Sequence, residues 1–343
     1  MLALNEQRLE DLEKTLKDLG QASFRGRQLF EYFHKQLGKD LDTCSTLPKS
    51  LRENLGDLPL KSVDIAHTFA SKKDQTKKFL FRLEDQRLIE GVLMKNNYGY
   101  SQCISTQVGC RMGCHFCTST KNGLVRNLSP YEMLGQIYET TRRYGKIHSI
   151  ILMGSGEPLD NLENVLIFMD ILNSSLGYPM SYRNMTLSTC GLVPEILQLA
   201  HQDRKVNLAL SLHSPFQKVR EGMMPIAKRY DLKEIFQALD QYTDQLGRRV
   251  SYEYTLIDGV NNREEDLEEL KKLLKNRLHH LNLIPLNPID EYGEDRPERA
   301  KVLYFKKRCE DMGLNVTIRR EQGGDINASC GQLRQKFEEE EGL

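Results

Sequence analysis

The chain has 343 residues, which gives room for one large domain of about 200 to 250 residues and a smaller module. Its 48 Lys and Arg side chains balance its 48 Asp and Glu side chains. This balance excludes a global charge that would draw the protein to nucleic acid or membranes, so any RNA contact must depend on local basic patches.

The first sixty residues predict a helical module. Leucines recur every three or four residues over 5–19, and Gly20 ends this pattern. Apolar residues recur with the same spacing over 24–37, and LPKSLRENL predicts a third, short helix.

The start, MLALNEQRLEDLEK, lacks the basic and apolar regions of a signal peptide, and no stretch approaches the ~18 apolar residues of a membrane span. We expect a cytoplasmic protein without a membrane partner. In that reducing compartment its eight cysteines would be metal ligands, catalytic groups or buried thiols.

Residues 61–95 predict a β-hairpin that links this module to the rest of the chain. The alternating apolar residues of KKFLFRL and LIEGVLM flank a turn at Asp85 and Gln86. We divide the chain into a helical accessory domain over 1–60, the hairpin extension over 61–95, a core domain over 96–335 and an acidic tail over 336–343.

Beyond the hairpin, short apolar runs alternate with capped helical segments. The runs IHSIILM, NMTLS, VNLALSLH, VSYEYTLI, HLNLIPLN and NVTIRR predict strands. Ser129 with Glu132, and Asp231 with Glu234, fit the capping box that begins a helix. This repeated pattern predicts a parallel α/β sheet, either doubly wound or closed into a full or partial barrel.

Polar residues follow the predicted strands where each strand ends. They are Glu157, Ser188, Ser211, His213, Asp258 and Asn287. The carboxyl ends of parallel strands carry the ligand site, and contributions from successive strands suit a barrel better than a sheet with a single crevice. We therefore favour a partial barrel.

Three cysteines are spaced as Cys-x3-Cys-x2-Cys at Cys110, Cys114 and Cys117, and Cys103 lies seven residues upstream. A structural zinc site usually takes two Cys pairs, and no second pair lies elsewhere; His115, adjacent to Cys114, would need an awkward geometry. Three thiolates on one short loop suit an iron–sulfur cluster with one iron open to a small molecule. The zinc site remains an alternative at this point.

The spacing, with Phe116 before the last Cys, resembles the signature of radical S-adenosylmethionine (SAM) enzymes, in which a 4Fe-4S cluster chelates SAM. GSGEPLDN, LSLHSPFQKVREGMMPI, NLIPLNP and VTIRREQGGDINASCGQL resemble, in this order, the methyltransferases that modify C2 of adenine 2503 in 23S ribosomal RNA and of adenine 37 in certain tRNAs. The resemblance covers almost the whole chain. It implies an α/β fold: a partial (β/α)6 TIM-like barrel of the radical SAM type, with an N-terminal helical domain that contacts RNA and a linking β-hairpin.

The resemblance also implies a role for each matching position. Cys110, Cys114 and Cys117 would hold the cluster. The residues that would hold SAM are Gly156, Glu157, Ser188, Ser211, Leu212, His213 and Asn287. Cys330 would accept a methyl group, Cys103 would be its redox partner and Glu90 the proton acceptor.

In the mechanism implied by the resemblance, two SAM molecules are used per turnover, one to methylate Cys330 and one as a source of the 5'-deoxyadenosyl radical. The methyl carbon reaches adenine C2, and attack of Cys103 on Cys330 releases the RNA and leaves a disulfide. The implied partners are 23S ribosomal RNA and tRNA, an external flavodoxin-like electron donor and a thiol reductant. We expect the protein to act as a monomer.

Three alternatives accompany this interpretation. A relative that methylates C8 of the same adenine shares the cluster and both reactive cysteines, although Pro158 and NLIPLNP are more similar to the C2 enzymes. A radical SAM activase or maturase would share only the three-cysteine loop. A zinc-stabilised RNA-binding module without catalysis is the alternative from another class. Basic pairs such as Arg319 and Arg320 are candidates for RNA phosphate contacts.

Overall fold

Three helices begin the computed structural model, which describes residues 2–287 and 297–328. They are α1 (Leu9–Asp18), α2 (Phe24–His34) and α3 (Lys49–Leu55). The helices α1 and α2 approach closely at Gly26, where a Cβ atom would lie 2.7 Å from the Glu13 Cα. Their buried leucine and phenylalanine side chains belong to the same hydrophobic cluster as the core of the barrel, so the module is packed onto it.

Four antiparallel strands follow the helices. They are β1 (Val63–Ala70), β2 (Lys77–Leu83), β3 (Leu88–Asn96) and β4 (Gly99–Cys103), each paired antiparallel with the next. The predicted hairpin is confirmed as β2 and β3, and Gln86 in its turn has a left-handed φ of 64°. The sequence analysis missed β1, whose half-exposed residues lack a regular alternation.

The remaining strands continue the sheet from β4. They are β7 (Ile147–Leu152), β8 (Met185–Thr189), β9 (Asn207–Ser211), β10 (Val250–Leu256), β11 (His279–Pro285) and β12 (Val316–Ile318), after a separate ribbon of β5 (Gln107–Gly109) and β6 (Leu124–Asn127). Every neighbour from β4 to β12 pairs in parallel, and the ten-stranded sheet has the order β1-β2-β3-β4-β7-β8-β9-β10-β11-β12. All six strands predicted from the apolar runs are present.

Helices connect the parallel strands and cover the sheet. They are α4 (Pro130–Tyr144), α5 (Leu162–Asn173), α6 (Val193–Ala200), α7 (Gln217–Met223), α8 (Leu232–Leu246), α9 (Glu264–Leu274) and α10 (Arg299–Asp311). Both predicted capping boxes form, at the starts of α4 and α8. Each of the strands β4, β7, β8, β9, β10 and β11 is followed by helix, so the partial (β/α)6 barrel is confirmed. Over the described residues, we find no helix with the length and apolar character needed to cross a membrane.

An ion cluster joins the N-terminal module to the barrel. The Asp170 carboxylate on α5 accepts hydrogen bonds from Arg8 Nε at 2.7 Å, from Arg204 Nε at 2.6 Å and from the Tyr182 hydroxyl at 2.8 Å. Burial raises the pKa of Asp170, but these donors outweigh it and the net shift is downward. The carboxylate is therefore ionised wherever the fold is stable.

We expect Asp170→Ala to lower the free energy of unfolding by about 1–3 kcal/mol at pH 7, because it leaves two half-buried guanidinium groups without their acceptor. The pKa of Asp170 is depressed in the fold, so its stabilisation is present above the unfolded pKa and is lost as pH falls below about 4. Urea unfolding of both proteins between about pH 2 and pH 8 measures this difference and its loss in acid.

The matched control is Glu269→Ala, which removes an exposed i,i+3 pair with Lys272 and should change stability by less than about 0.5 kcal/mol. Equal effects of the two substitutions would contradict a structural role for the Asp170 cluster.

Candidate active site

A cavity of about 150 Å³ opens at the carboxyl ends of the parallel strands. Nine of the ten residues that the sequence analysis assigned to cluster and SAM binding line it: Cys110, Cys114, Cys117, Gly156, Glu157, Ser188, Ser211, His213 and Asn287. The exception is Leu212, whose side chain is fully buried in the core. Its N–H donates to the Glu253 carbonyl at 3.0 Å and its carbonyl accepts from the Ser214 N–H at 2.7 Å.

The three-cysteine loop is held between the β5–β6 ribbon and α7. The Cys110 N–H donates to the Gly123 carbonyl at 3.0 Å, and the His115 N–H donates to the Met223 carbonyl at 3.0 Å. Gly113 turns the loop with a φ of +77°. The loop therefore has a fixed position on the end of α7.

Burial makes the thiols of this loop harder to deprotonate. It raises the pKa of Cys110 to about 12 and that of Cys114 well above its usual range, and the charges of neighbouring cysteines act in the same direction. Thiolates at this position would therefore need cations close by, which the ions of a metal centre would supply.

The thiols of Cys110, Cys114 and Cys117 are the candidate ligands of a metal centre. Among residues 2–287 and 297–328, no three His, Cys, Asp or Glu side chains form a group that would hold a metal ion as they stand. The three thiols border one shared cavity, which suits ligands that bond separate irons of a cluster, and soft thiolates are the donors that such clusters take. The residues fit an iron–sulfur cluster.

The loop after β7 lies directly against the chain that leaves β4. The Gly154 N–H donates to the Ile104 carbonyl at 3.0 Å, and a Cβ at Gly154 would lie 2.6 Å from that carbonyl carbon. Gly156 has a φ of +110°, and its Cβ would lie 2.7 Å from the Gln107 side chain. Both glycines are required because any side chain would separate the two segments.

Glu157 follows these glycines and is 4% exposed. Its carboxylate accepts hydrogen bonds from the Cys190 N–H at 2.8 Å and the Leu159 N–H at 3.1 Å. Burial raises the pKa of Glu157, and these hydrogen bonds only partly offset it. A cationic ligand in the cavity would favour the ionised form.

His213 lines the cavity in a strained conformation, with a φ of 55°. Its Nδ1 accepts a hydrogen bond from the Thr255 N–H at 3.0 Å, and its ring meets Phe116 edge-on, with ring centroids 4.5 Å apart. Burial lowers the pKa of His213 to about 3, so the ring is neutral. Because Nδ1 accepts, the ring proton is on Nε2, which makes His213 a hydrogen-bond donor.

Cys103, at the end of β4, lies in a small apolar cluster beside the cavity. It packs with Val92 and Ala328, and Met153, which also lines the cavity, borders the same cluster. Cys330 lies outside the described residues. Ala328 precedes it by two positions in the sequence.

Glu90 does not line the cavity. It lies on β3 and is 7% exposed, and its carboxylate is 3.2 Å from Lys78 Nζ. The Ser105 hydroxyl donates to the Glu90 carbonyl at 2.7 Å, which ties β3 to the segment after β4. Glu90 shares its face of β3 with Val92 of the Cys103 cluster, whereas Gly91, on the opposite face, lies against Gln136 of α4.

Several cavity residues were missed by the sequence analysis, namely Cys190, Glu253 and Thr255, and Arg319 had been considered only for phosphate contacts. Glu253 is 5% exposed, accepts from Asn282 Nδ2 at 2.8 Å and lies 3.5 Å from Arg319. Burial raises the pKa of Glu253 despite the nearby Arg319. A charged residue within the apolar run VSYEYTLI was the signal available in the sequence.

Residues 104–274 match the family model described as the Radical SAM superfamily. A relative from Lachnoclostridium phytofermentans, named "Probable dual-specificity RNA methyltransferase RlmN", is 46% identical over 331 residues, which cover 96% of this chain and 93% of the relative. A relative of the same name from Desulforamulus reducens is 44% identical over 339 residues, covering 98% of this chain and 97% of the relative.

Comparison of the fold with solved structures indicates the same superfamily. A crystal structure of a radical SAM methyltransferase from Sphaerobacter thermophilus matches with a TM-score of 0.92 and 39% identity, covering 97% of this chain and 99% of that chain. These similarities exclude the non-catalytic zinc module and identify a radical SAM RNA methyltransferase, a family that uses an iron–sulfur cluster and SAM. The chain belongs to the dual-specificity RNA methyltransferases of the radical SAM superfamily.

Proposed function

We propose that the protein methylates C2 of adenine in RNA, at adenine 2503 of 23S ribosomal RNA and adenine 37 of tRNAs, through an S-methylcysteine at Cys330. The observation that carries this proposal is the position of Cys103. It belongs to a small apolar cluster with Ala328, two residues before Cys330 in the sequence, and Met153 of the cavity wall packs against that cluster. A second reactive thiol beside the cavity, in addition to the three of the cysteine loop, is what we use to distinguish this chemistry from other radical SAM reactions.

Cys110, Cys114 and Cys117 would hold a 4Fe-4S cluster. SAM would lie against the strand ends, with the buried Glu157 carboxylate available to its ammonium group and the donors of Ser188, Ser211, His213 and Asn287 available to its oxygens. Gly156 leaves room for the ligand, and Leu212 contributes by holding the adjacent strand end. When bound, the cluster and SAM supply the 5'-deoxyadenosyl radical that takes hydrogen from the S-methyl group of Cys330.

The two thiols would then complete the reaction. The methylene radical on the Cys330 sulfur would add to adenine C2, and the adduct would give up one electron to the electron-transfer centre and its C2 proton to a base. The Cys103 thiolate would then attack the Cys330 sulfur, and the electron pair of the breaking sulfur–carbon bond would take up a proton to complete the methyl group. The product is a Cys103–Cys330 disulfide, which an external thiol reduces. An external one-electron donor of the flavodoxin kind is the other partner that this chemistry requires.

Glu90 is proposed as the group that receives the C2 proton. To accept a proton, the Glu90 side chain must be in its carboxylate form, and its ion pair with Lys78 at 3.2 Å is consistent with that form. The Ser105 bond to its backbone holds β3 next to the end of β4, where Cys103 lies.

The segment that leads to Cys330 is fastened to the loop between β1 and β2. The Asp325 carboxylate accepts from the Ser71 hydroxyl at 2.7 Å and the Lys72 N–H at 2.8 Å, and the Gly323 N–H donates to Asp74 at 3.0 Å. We infer that this latch positions the methyl-carrying cysteine. Residues 1–60 are proposed to form the accessory domain that contacts RNA.

We expect Cys330→Ala to lower methylation below about 1% of the wild-type rate, because no thiol remains to carry the methyl group. Cys103→Ala should accumulate a covalent protein–RNA adduct, since the resolving thiol is gone. The measurement is anaerobic reconstitution with iron, sulfide and SAM, followed by mass analysis of protein and digested RNA.

Cys44→Ala, a buried cysteine of the N-terminal module, is the matched control and should retain full activity. Methylation by Cys330→Ala would refute the S-methylcysteine route. A C8-methyladenine product would refute the choice of target atom and favour the C8 alternative.

We expect Glu90→Gln to slow product release and to accumulate the same adduct, because the amide cannot take the C2 proton. A loss of roughly 10²–10⁴-fold in turnover is typical of a missing general base. Glu84→Gln, which alters an exposed carboxylate paired with Lys61, is the control. Wild-type turnover by Glu90→Gln would assign the proton to another acceptor.

We expect Asp325→Ala to lower the methylation rate roughly 10- to 100-fold, because the cysteine-bearing segment loses its alignment. Hydrogen–deuterium exchange at 323–328 should become faster while the urea midpoint stays unchanged. Asp311→Ala on α10 removes an exposed pair with Lys307 and serves as the control. Unchanged exchange and activity in Asp325→Ala would show that the latch has no positioning role.

A further inference from the structure

We propose that Arg220 is the counter-cation of the iron–sulfur cluster, and that its buried guanidinium raises the reduction potential of the cluster. This inference rests on the proposed cluster at Cys110, Cys114 and Cys117. It adds a positioning residue that lies outside the cavity and is not proposed to contact SAM or RNA. Its effect is on the one-electron reduction of the cluster.

Arg220 is buried in an unusual way. It lies on α7, is 0% exposed, and is one of the largest fully buried side chains of the described chain. Arginine stays protonated in proteins, so this position holds a full positive charge. Across residues 2–287 and 297–328, Arg220 forms no salt bridge with a carboxylate, and its Nε and Nη1 have no hydrogen-bond partner. A buried charge in this state costs free energy unless an anion compensates it.

The remaining contacts of Arg220 place it behind the cavity. Its Nη2 donates to the carbonyl of Cys190 at 2.5 Å and to the carbonyl of Ser211 at 3.2 Å. Cys190 and Ser211 both line the cavity, whereas Arg220 does not. The guanidinium therefore lies one layer behind the ligand and acts through its electric field.

The nearby carboxylate does not neutralise Arg220. Glu157 directs its oxygens to the backbone N–H groups of Cys190 and Leu159. Cys190 thus separates the two charges, because its N–H faces Glu157 and its carbonyl faces Arg220. The anion that compensates Arg220 must come from elsewhere.

The three-cysteine loop is the neighbouring source of negative charge. The helix that carries Arg220 ends at Met223, whose carbonyl accepts the His115 N–H at 3.0 Å. The Arg220 Nη2 also donates to the carbonyls of Cys190 and Ser211, and both residues line the same cavity as Cys110, Cys114 and Cys117. Arg220 is therefore close enough to the cluster loop for its field to act there.

The sign of the effect follows from charge. A cluster held by three thiolates is negative overall, and it gains one further negative charge when an external donor reduces it by one electron. A fixed cation stabilises the reduced form more than the oxidised form. Low dielectric around the buried group strengthens this preference. Arg220 thus makes reduction of the cluster, the first step of SAM cleavage, more favourable.

Potentiometric titration of the reconstituted, SAM-free enzyme tests the proposal. Arg220→Gln and Arg220→Met should lower the ratio of reduced to oxidised cluster at the wild-type midpoint at least tenfold, which is about 59 mV for one electron. Arg220→Lys keeps the charge and should stay within threefold of wild type. Arg229→Gln, which removes an exposed arginine from the turn after α7, is the control and should also stay within threefold.

A potential within threefold of wild type in Arg220→Gln and Arg220→Met, at normal iron content, would overturn the proposal. The proposal would also be overturned if Arg220→Lys failed to take up iron, or if the metal-free Arg220→Gln protein were unfolded. Either result would make Arg220 a purely structural residue. If only the uncharged variants lose iron, and their metal-free forms melt at the wild-type temperature, the result supports the proposal. A wild-type protein that shows no iron–sulfur absorption would refute the proposed function itself, which separates the two failures.

Discussion

The contact between the loop after β7 and the chain that leaves β4 determines the geometry of the site. The Gly154 N–H donates to Ile104, the Ser155 carbonyl accepts from Thr106 and Gln107, and the Gln107 side chain accepts from the Glu157 N–H. The three cysteines follow Gln107 by three to ten residues. The contact therefore fixes the cysteine loop and Glu157 relative to each other, although they come from different βα units. It needs two glycines, which explains why the motif GSGEP has this composition.

Several ionisable groups are buried at the cavity or directly behind it. Burial raises the pKa of Glu157 and of Glu253, holds His213 neutral and leaves Arg220 without a carboxylate partner among the described residues. Such groups cost stability in the empty protein, and a ligand with both charges returns that free energy as binding energy. SAM, with its ammonium, carboxylate and sulfonium, is a ligand of this kind, and the cluster supplies further negative charge. The site is thus organised for ligands that are charged, and its polar groups need little rearrangement to bind them.

Sequence patterns predicted most of the parallel part of the fold because its strands are short, mainly apolar runs, several of which are followed by a polar residue at the cavity. The same rule found Glu157, Ser188, Ser211, His213 and Asn287, since side chains at strand ends converge by topology. It missed Glu253, which lies within β10 rather than after it, and Arg220, which reaches the site from a helix. The strand β1 was missed because its burial depends on pairing with β2 and not on its own periodicity. Glu90 was singled out only through the resemblance, because alternation along a strand does not show that both faces of the sheet are covered.

The strand β4 is the point where two kinds of sheet meet. It pairs antiparallel with β3 and parallel with β7, so Cys103 is opposite Val92 on one side and Ile151 on the other. Its position is fixed from both sides, and it is 6% exposed. In the proposed reaction Cys330 must meet the methyl donor, the adenine and Cys103 in turn, which a residue on a rigid strand could not do. The described part of the segment before Cys330 is joined to the β1–β2 loop by hydrogen bonds of Asp74 and Asp325 and to the Cys103 cluster by Ala328. Cys103 is therefore held in place from both sides, so the proposed disulfide would close at one defined place, the end of β4.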